Sequence, residues 1–331
     1  MRAIEPKGLI APTSRADVGF KVERAEERKR TAISRAVVRR YISVIGGRTF
    51  ALLATLVVLA VPVMVIALVI WSLPLLQQVP LDNLLGLKWN PPQNAFGFTT
   101  FIVGSLWVTG LAMLLAIPVS LFSAVYLSEY VHGRLRNWLR PLVELLAGIP
   151  SVVYGLWGVL VIVPLMSSIE RSLHLPQTTG YGILTASIVL ALMVTPFMIA
   201  LMEEIIRATP QGTRNAALAL GATRWEVVRD VLFRQSRAGL IAAIGLGFAR
   251  AVGETLAVVM LVANTFNKLP TSPFDGAYPL PALIANHFGD VMSIPSMYSA
   301  LMLAALVLLI MILIFNLGSR LFIRRMTQYD S

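Results

Sequence analysis

The chain contains no cysteine, which excludes disulfides and thiolate metal sites. Its three histidines, His132, His174 and His287, are scattered over polar connecting segments, so we expect neither a metal centre nor a cofactor. The phosphate cradle G-x-x-x-x-G-K-[ST] is missing, and with it P-loop binding and cleavage of ATP. No His-Glu-x-x-His helix and no Ser/His pair within an apolar run points to an intramembrane enzyme. Charge is scarce as well: 14% of the 331 residues, against about 25% in a soluble domain.

What fills the space is apolar. Hydrophobic residues make up 56% of the chain, and about 20 in a row are needed to cross a bilayer core as a helix. Runs at 50–73, 99–127, 141–166, 182–202, 238–263 and 297–319 reach that length. The expected fold is therefore all-α, a polytopic membrane protein with six transmembrane helices. The first run starts only at Phe50, is a full span long and has no small-residue cleavage site behind it, which reads as an anchor and not as a signal peptide.

Orientation follows from the 28 basic residues, of which 24 fall before the first run, after the second, after the fourth and after the last. Lys88, Arg171 and Lys268 lie on the other side. Cytoplasmic loops carry the excess of Lys and Arg, so both termini are expected inside the cell. The net charge of +11 is then mostly a topology signal. Acidic residues interrupt the basic N-terminal stretch and no aromatic platform accompanies it, so we expect lipid contact and no nucleic-acid partner. The expected organisation is a basic cytoplasmic segment over 1–49, a six-helix domain over 50–325 and a tail over 326–331.

Several features are expected to be ordinary. "TTGYG" at 178–182 reads as a glycine turn, Glu144 as a boundary residue, and Glu203, Glu204 and Arg207 as a solvated helix end. Pro62, Pro118, Pro150 and Pro196 lie within the runs, where they bend helices and free carbonyls.

Two stretches ask for more. In "GLGFARAVGETLAVVM", residues 245–260, Arg250 and Glu254 sit near the middle of the fifth run, too deep to snorkel. Each costs about 2.5–3.5 kcal/mol there on insertion scales. Spacing of four places both on one helix face, where they can neutralise each other, and Gly245, Ala249 and Gly253 form a neighbouring stripe for close helix packing. A buried pair is seldom net stabilising relative to apolar packing, which points to function: Arg250 is always charged and its planar fork suits an oxyanion, with Glu254 steadying it and keeping binding shallow. A proton relay in an ion-coupled transporter is the alternative, although no internal repeat with matching interrupted helices is visible.

The second stretch is the inside loop 203–237, where Ala216, Leu220, Val227, Val228 and Val231 are spaced to line one side of a helix pair bent at Gly221. Its segment "NAALALGATRWEVVRDVL" resembles the coupling segment of bacterial ABC importer permeases, Glu-Ala-Ala-x3-Gly-x9-Ile-x-Leu-Pro. Asn215, Ala216, Ala217, Gly221 and Val231 stand at the matching positions. Asn215 departs from the acidic residue of that pattern, and Phe233-Arg234 departs from its Leu-Pro ending.

"GIPSVVYGLWGVLVIVP" (148–164), "ARAVGETLAVVMLVAN" (249–264) and "LPALIANHFGD" (280–290) resemble the phosphate-specific (Pst) branch of that family. The Gly-Glu-Thr-Leu-Ala-Val stretch and Asn264 are similar to its C-type permeases. The resemblance spans 50–325. It implies the type I ABC importer permease fold, a heterodimer with an A-type permease, two ATP-binding cassette ATPase subunits and an extracytoplasmic phosphate-binding protein. It also implies a substrate path for phosphate, or for a similar oxyanion, that includes Arg250, Glu254 and Thr255.

Overall fold

The computed structural model describes residues 15–131, 133–176, 179–292 and 295–328, with side chains over 46–131, 133–176, 179–290, 296–321 and 323–325. Residues 1–14 of the basic segment, His132, Thr178 and residues 329–331 of the tail lie outside the described residues.

The backbone is helical almost throughout, as apolar sequence without a sheet-forming alternation requires. In chain order the helices are α1 (Arg15–Gln78), α2 (Leu81–Leu84), α3 (Thr99–Val125), α4 (Gly133–Ala147), α5 (Ser151–Trp157), α6 (Val163–Ser172) and α7 (Ile183–Arg207). They continue with α8 (Gln211–Ala219), α9 (Arg224–Glu226), α10 (Phe233–Val252), α11 (Leu256–Val259), α12 (Leu280–His287) and α13 (Pro295–Gln328). A two-residue hairpin pairs β1 (Trp89–Asn90) with β2 (Ala95–Phe96) in antiparallel register, Trp89 opposite Phe96.

Two compact units divide within α1, after Ile66. Up to that point α1 runs from the basic segment into the first apolar run without a break, and from Phe50 onward its large side chains stand mostly exposed. In the second unit α7 is central: 67% of its most apolar window is buried, and it packs against α3, α4 and α10. Pro118 and Pro196 sit inside α3 and α7.

Among the described residues, five helices are long and apolar enough to cross a membrane: Gly46–Gln78, Thr99–Tyr130, Ser151–Ser172, Ile183–Arg207 and Ser296–Arg325. Two of the six expected spans need correction. The third begins at Ser151 and not at 141, because Pro150 caps α5 instead of bending a continuous helix. Residues 141–147 belong to α4, which sets Trp138, Leu142 and Leu145 outward together with Arg140. The fifth is not one helix: α10 stops at Val252 and the apolar sequence continues as α11 and a loop that turns back. There Gly182 N–H donates to the Leu261 carbonyl at 3.0 Å and Ala277 N–H to the Val262 carbonyl at 3.1 Å. Buried backbone groups must find partners, and this returning loop supplies them without a helix.

A second cluster of buried side chains lies on the hairpin side. Trp89 meets Phe96, Phe98 and Phe101 edge to face, with centroids 5.5, 5.5 and 5.0 Å apart. Leu280, Leu283, Met297 and Leu301 complete the cluster.

Candidate functional site: a broken helix and a coupling segment

The break after α10 sets the first site. Gly253 caps the helix, its N–H bonding the Ala249 carbonyl at 3.3 Å, and Thr255 takes φ −110° and ψ −59° before α11. The expected side-by-side placement of Arg250 and Glu254 presumes a helix that continues through both, and it does not continue. No ion pair joins them among the described residues.

Arg250 is exposed and reaches away from its own helix. Its guanidinium carbon stands 4.8 Å from the centroid of the Phe197 ring on α7, and Nη2 donates to the Ala147 carbonyl at a long 3.5 Å. Ala147 ends α4, so that carbonyl has no partner within its helix and carries the negative end of the helix dipole. Beside it, the Tyr154 hydroxyl of α5 donates to the Leu146 carbonyl at 2.9 Å. The 148–150 joint is thus held by a guanidinium and a phenol, neither of which sequence reading had singled out for this role.

Glu254 faces another way. Its Oε1 accepts the Ala257 N–H at 3.4 Å, and it borders a cavity of about 10 Å³ with Ser105 and Thr109 of α3 and with Pro279 and Pro281. Thr255 donates its hydroxyl to the Gly253 carbonyl at 3.4 Å. On the Arg250 side lies a larger apolar cavity of about 630 Å³ between α3, α4, α5 and α7, bordered by Leu146, Tyr154 and Pro196. A second, mixed cavity of about 260 Å³ is lined by Arg140, Glu144, Phe197, Leu201, Glu203 and Glu204.

Of the expected packing stripe, only part packs. A Cβ at Gly245 would lie 2.9 Å from Ser319 Oγ on α13, whereas one at Gly253 meets nothing nearer than 3.5 Å. Ala249 is half-buried. The close approach on the α7 side belongs to Gly239, against Ile205, and Gly247, against Met198. Gly253 instead ends the helix.

The coupling segment folds as the helix, bend and helix that its sequence suggests. Gly221 takes φ +88°. The N–H of Gly221 bonds the Leu218 carbonyl at 3.0 Å and that of Ala222 bonds the Ala217 carbonyl at 3.2 Å, the paired bonds of a Schellman stop. Thr223 then caps the next helix reciprocally with Glu226, whose amide donates to Thr223 Oγ1 at 3.3 Å. The Thr223 amide and hydroxyl reach Glu226 Oε2 at 2.7 and 2.8 Å. Those bonds, the backbone one first, hold the Glu226 carboxyl below its ordinary pKa.

The expected apolar line is corrected here. Val227 and Val228 are buried and Ala217 and Val231 half-buried, but Ala216 and Leu220 face out with Asn215 and Gly221, and Leu220 is 90% exposed. Leu218 and Trp225 are exposed beside them. The helix end expected to be solvated is also different. Glu203 is buried and pairs with Arg136 of α4 at 2.9 Å and with Arg207 at 3.7 Å. Arg214 of α8 is buried too, 3.2 Å from Glu129 at the end of α3. Sequence reading passed over Arg214 and Glu129, although an acid at the end of an apolar run and an arginine next to Asn215 were visible signals.

Five described helices long and apolar enough to cross a membrane, with a further apolar helix broken beside Arg250, fit a multi-pass membrane protein. Residues 116–328 match the family described as the binding-protein-dependent transport system inner membrane component, and the chain belongs to it. It is 34% identical to the phosphate transport system permease protein PstC of Haemophilus influenzae, over 87% of this chain and 95% of that protein. It is 32% identical to the probable phosphate transport system permease protein PstC of Methanocaldococcus jannaschii, over 78% of this chain and 87% of that one. Among solved structures, a chain of the inward-facing MetNI methionine ABC transporter superposes with a TM-score of 0.55 at 19% identity, covering 69% of this chain and 95% of its own. That likeness places the fold among ABC importer permeases.

Proposed function

We propose that this chain is the C-type permease subunit of an importer that moves inorganic phosphate into the cytoplasm, driven by ATP hydrolysis on partner subunits. The observation that carries the reading is Arg250, an always-charged oxyanion ligand at the break between α10 and α11, exposed on the chain's own surface. Relatives named as phosphate transport permeases support phosphate as the substrate.

The geometry suggests the step. Arg250's bond to the Ala147 carbonyl is at the outer limit of a hydrogen bond, so it yields readily. A phosphate arriving at the break replaces that carbonyl and takes a bidentate hold on the fork, while Phe197 keeps the guanidinium plane in place. Thr255 lies on the same break. Glu254 is turned toward α3, so its charge limits binding from a distance and not by capturing Arg250. Anion entry and exit then need only the arginine to exchange partners.

In this reading an A-type permease completes the path, one of two ATP-binding cassette ATPases docks on the outward turn carrying Asn215, Leu220 and Trp225 and the other on the A-type permease, and a phosphate-binding protein delivers the anion from outside. Both termini lie in the cytoplasm, residues 1–49 form the basic segment, 50–325 the permease domain with coupling segment 203–237, and 326–331 the tail. The broken α10 and α11 stand for the fifth of the six crossings, between α7 and α13.

The test is uptake of radiolabelled phosphate into proteoliposomes holding the complete transporter. Uptake that needs ATP, the ATPase and the binding protein, and that vanadate stops, is expected. Transport that persists with ATP absent and stops when the proton gradient collapses would replace this reading with an ion-coupled one.

A further inference from the structure

Arg214 lies on α8, and its side chain is only 8% exposed. Nη2 donates to the Ile206 carbonyl in the last turn of α7 at 2.7 Å. The same nitrogen stands 3.2 Å from Oε1 of Glu129, a side chain 15% exposed. That carboxylate oxygen has no aligned hydrogen bond, and neither does Arg214 Nε. Glu129 belongs to the π-helical turn Tyr126–Tyr130 that closes α3, a rare geometry concentrated at functional positions. Three residues back from Ile206, the buried Glu203 binds Arg136 and Arg207. Charges withdrawn from water therefore meet where α3, α4, α7 and the coupling helix end.

Such pairs are poor stabilisers. Apolar residues of similar volume commonly do as well or better, although removing one partner alone is costly. What a buried ion pair adds is a specific partner, and here one guanidinium nitrogen both bonds the Ile206 carbonyl and lies beside Glu129. The chain joins α8 to α7 through 208–210 and to α10 through the Gly221 turn, but α3 is far away in sequence. Among the described residues, the Arg214–Glu129 contact is the ion pair that links α8 to the π-helical turn closing α3.

We infer that Arg214 is a positioning residue that makes the coupling helix and the cytoplasmic end of α3 move as one body when the ATPases close. The inference rests on the ABC permease reading and not on the identity of the anion. Breaking the link leaves the ATPases docked and active while their motion reaches the membrane helices incompletely.

The chain's lack of cysteine makes the test direct. Gln211→Cys at the start of α8 and Tyr126→Cys at the end of α3, both exposed positions, carry spin labels in the complete transporter in nanodiscs. With the link intact, the label distance is expected to be the same without nucleotide and after vanadate trapping. With Glu129→Gln, which leaves the Arg214 bond to Ile206 in place, the distance is expected to change on trapping, and transport per ATP hydrolysed in proteoliposomes falls severalfold. Glu129→Met with Arg214→Met replaces the pair by apolar packing and is expected to assemble, hydrolyse ATP and remain uncoupled. A constant distance with wild-type transport per ATP in either variant would overturn the inference. Failure of both to assemble would assign the pair to folding and overturn it as well. The distance is read without phosphate, so a wild-type transporter that moves no phosphate sinks the substrate reading alone.

Discussion

Arg250 and Glu254 stand four residues apart and do not touch: the guanidinium reaches the Ala147 carbonyl at 3.5 Å, while the carboxylate accepts from Ala257 N–H at 3.4 Å. The helix that would have set them side by side ends between them, at Gly253. Among the described residues no carboxylate pairs with this arginine, which is the arrangement that the proposed anion path needs.

Arg250→Gln removes the charge and the fork together. A hydrogen bond to a charged group contributes about 1.5–3 kcal/mol, so phosphate uptake is expected to fall by roughly 10- to 100-fold or more, with membrane insertion and ATPase assembly retained. Arg250→Lys keeps the charge but loses the planar contact with Phe197 and the bidentate hold, and is expected to recover only part of the activity. Normal uptake by a well-expressed Arg250→Gln protein sinks the proposed path. Glu254→Gln is expected to be milder than either, because the side chain faces Ser105 and Thr109 and not the arginine.

Much of this was legible in the sequence for identifiable reasons. Most span positions come from apolar runs about 20 residues long, because a helix satisfies its own backbone groups in lipid. The Gly221 bend was visible because a glycine between two apolar helical stretches is local chemistry, and the Thr223 and Glu226 capping box that follows it in the structure was passed over. The break at Gly253 was not visible, since residues 256–263 are apolar whether they form a helix or a returning loop. The supposed Arg250–Glu254 pair failed with it: spacing of four means contact only on a continuous helix. Burial of Glu203 and Arg214 was hidden for another reason, because their partners Arg136 and Glu129 lie 67 and 85 positions away in the numbering.

The coupling turn is open to a backbone test. Gly221 takes φ +88° and has open space around it, with nothing within 4 Å of an added Cβ. A side chain there meets no neighbour and acts through the backbone alone, at about 1–2 kcal/mol for the left-handed conformation. Gly221→Ala is therefore expected to leave insertion intact while weakening co-purification with the ATPase, and Gly221→Val, β-branched, more strongly. Equal recovery of the ATPase with Gly221→Val would show that the turn is not part of the docking surface.

Acid should loosen the turn at 271–275 through Asp275. Burial raises its carboxyl pKa, but the amides of Thr271 and Ser272, the Thr271 hydroxyl and nearby Lys268 outweigh it, and the net direction is downward. A carboxyl whose folded pKa lies below its unfolded value of about 3.9 stabilises the fold fully above that value. The contribution is lost as pH falls through the lower folded value. Hydrogen exchange of the Thr271 and Ser272 amides is thus expected to stay slow from neutral pH to about 4 and to speed up below, relative to the rest of the chain. Asp275→Asn should show the faster exchange already at neutral pH, and an Asn variant that matches the wild type throughout would remove the carboxylate from this role.

Glycines along α10 separate packing from helix termination. At Gly245 and Gly247 a Cβ would lie 2.9 Å from Ser319 Oγ and 2.7 Å from Met198 sulfur, so a bulky residue must push α13 or α7 away. Overpacking of this kind costs about 1–3 kcal/mol. Gly245→Leu and Gly247→Leu are therefore expected to lower the thermal stability of the detergent-solubilised transporter. Gly253 has φ −79°, which any residue adopts, and its nearest atom to an added Cβ is 3.5 Å away. Gly253→Ala is expected to melt like the wild type, yet to slow uptake if the break must flex when phosphate exchanges with the Ala147 carbonyl. A destabilised Gly253→Ala protein would mean that the small-residue stripe packs along its whole length after all, and that the helix end observed at Val252 is not what sets Arg250 free.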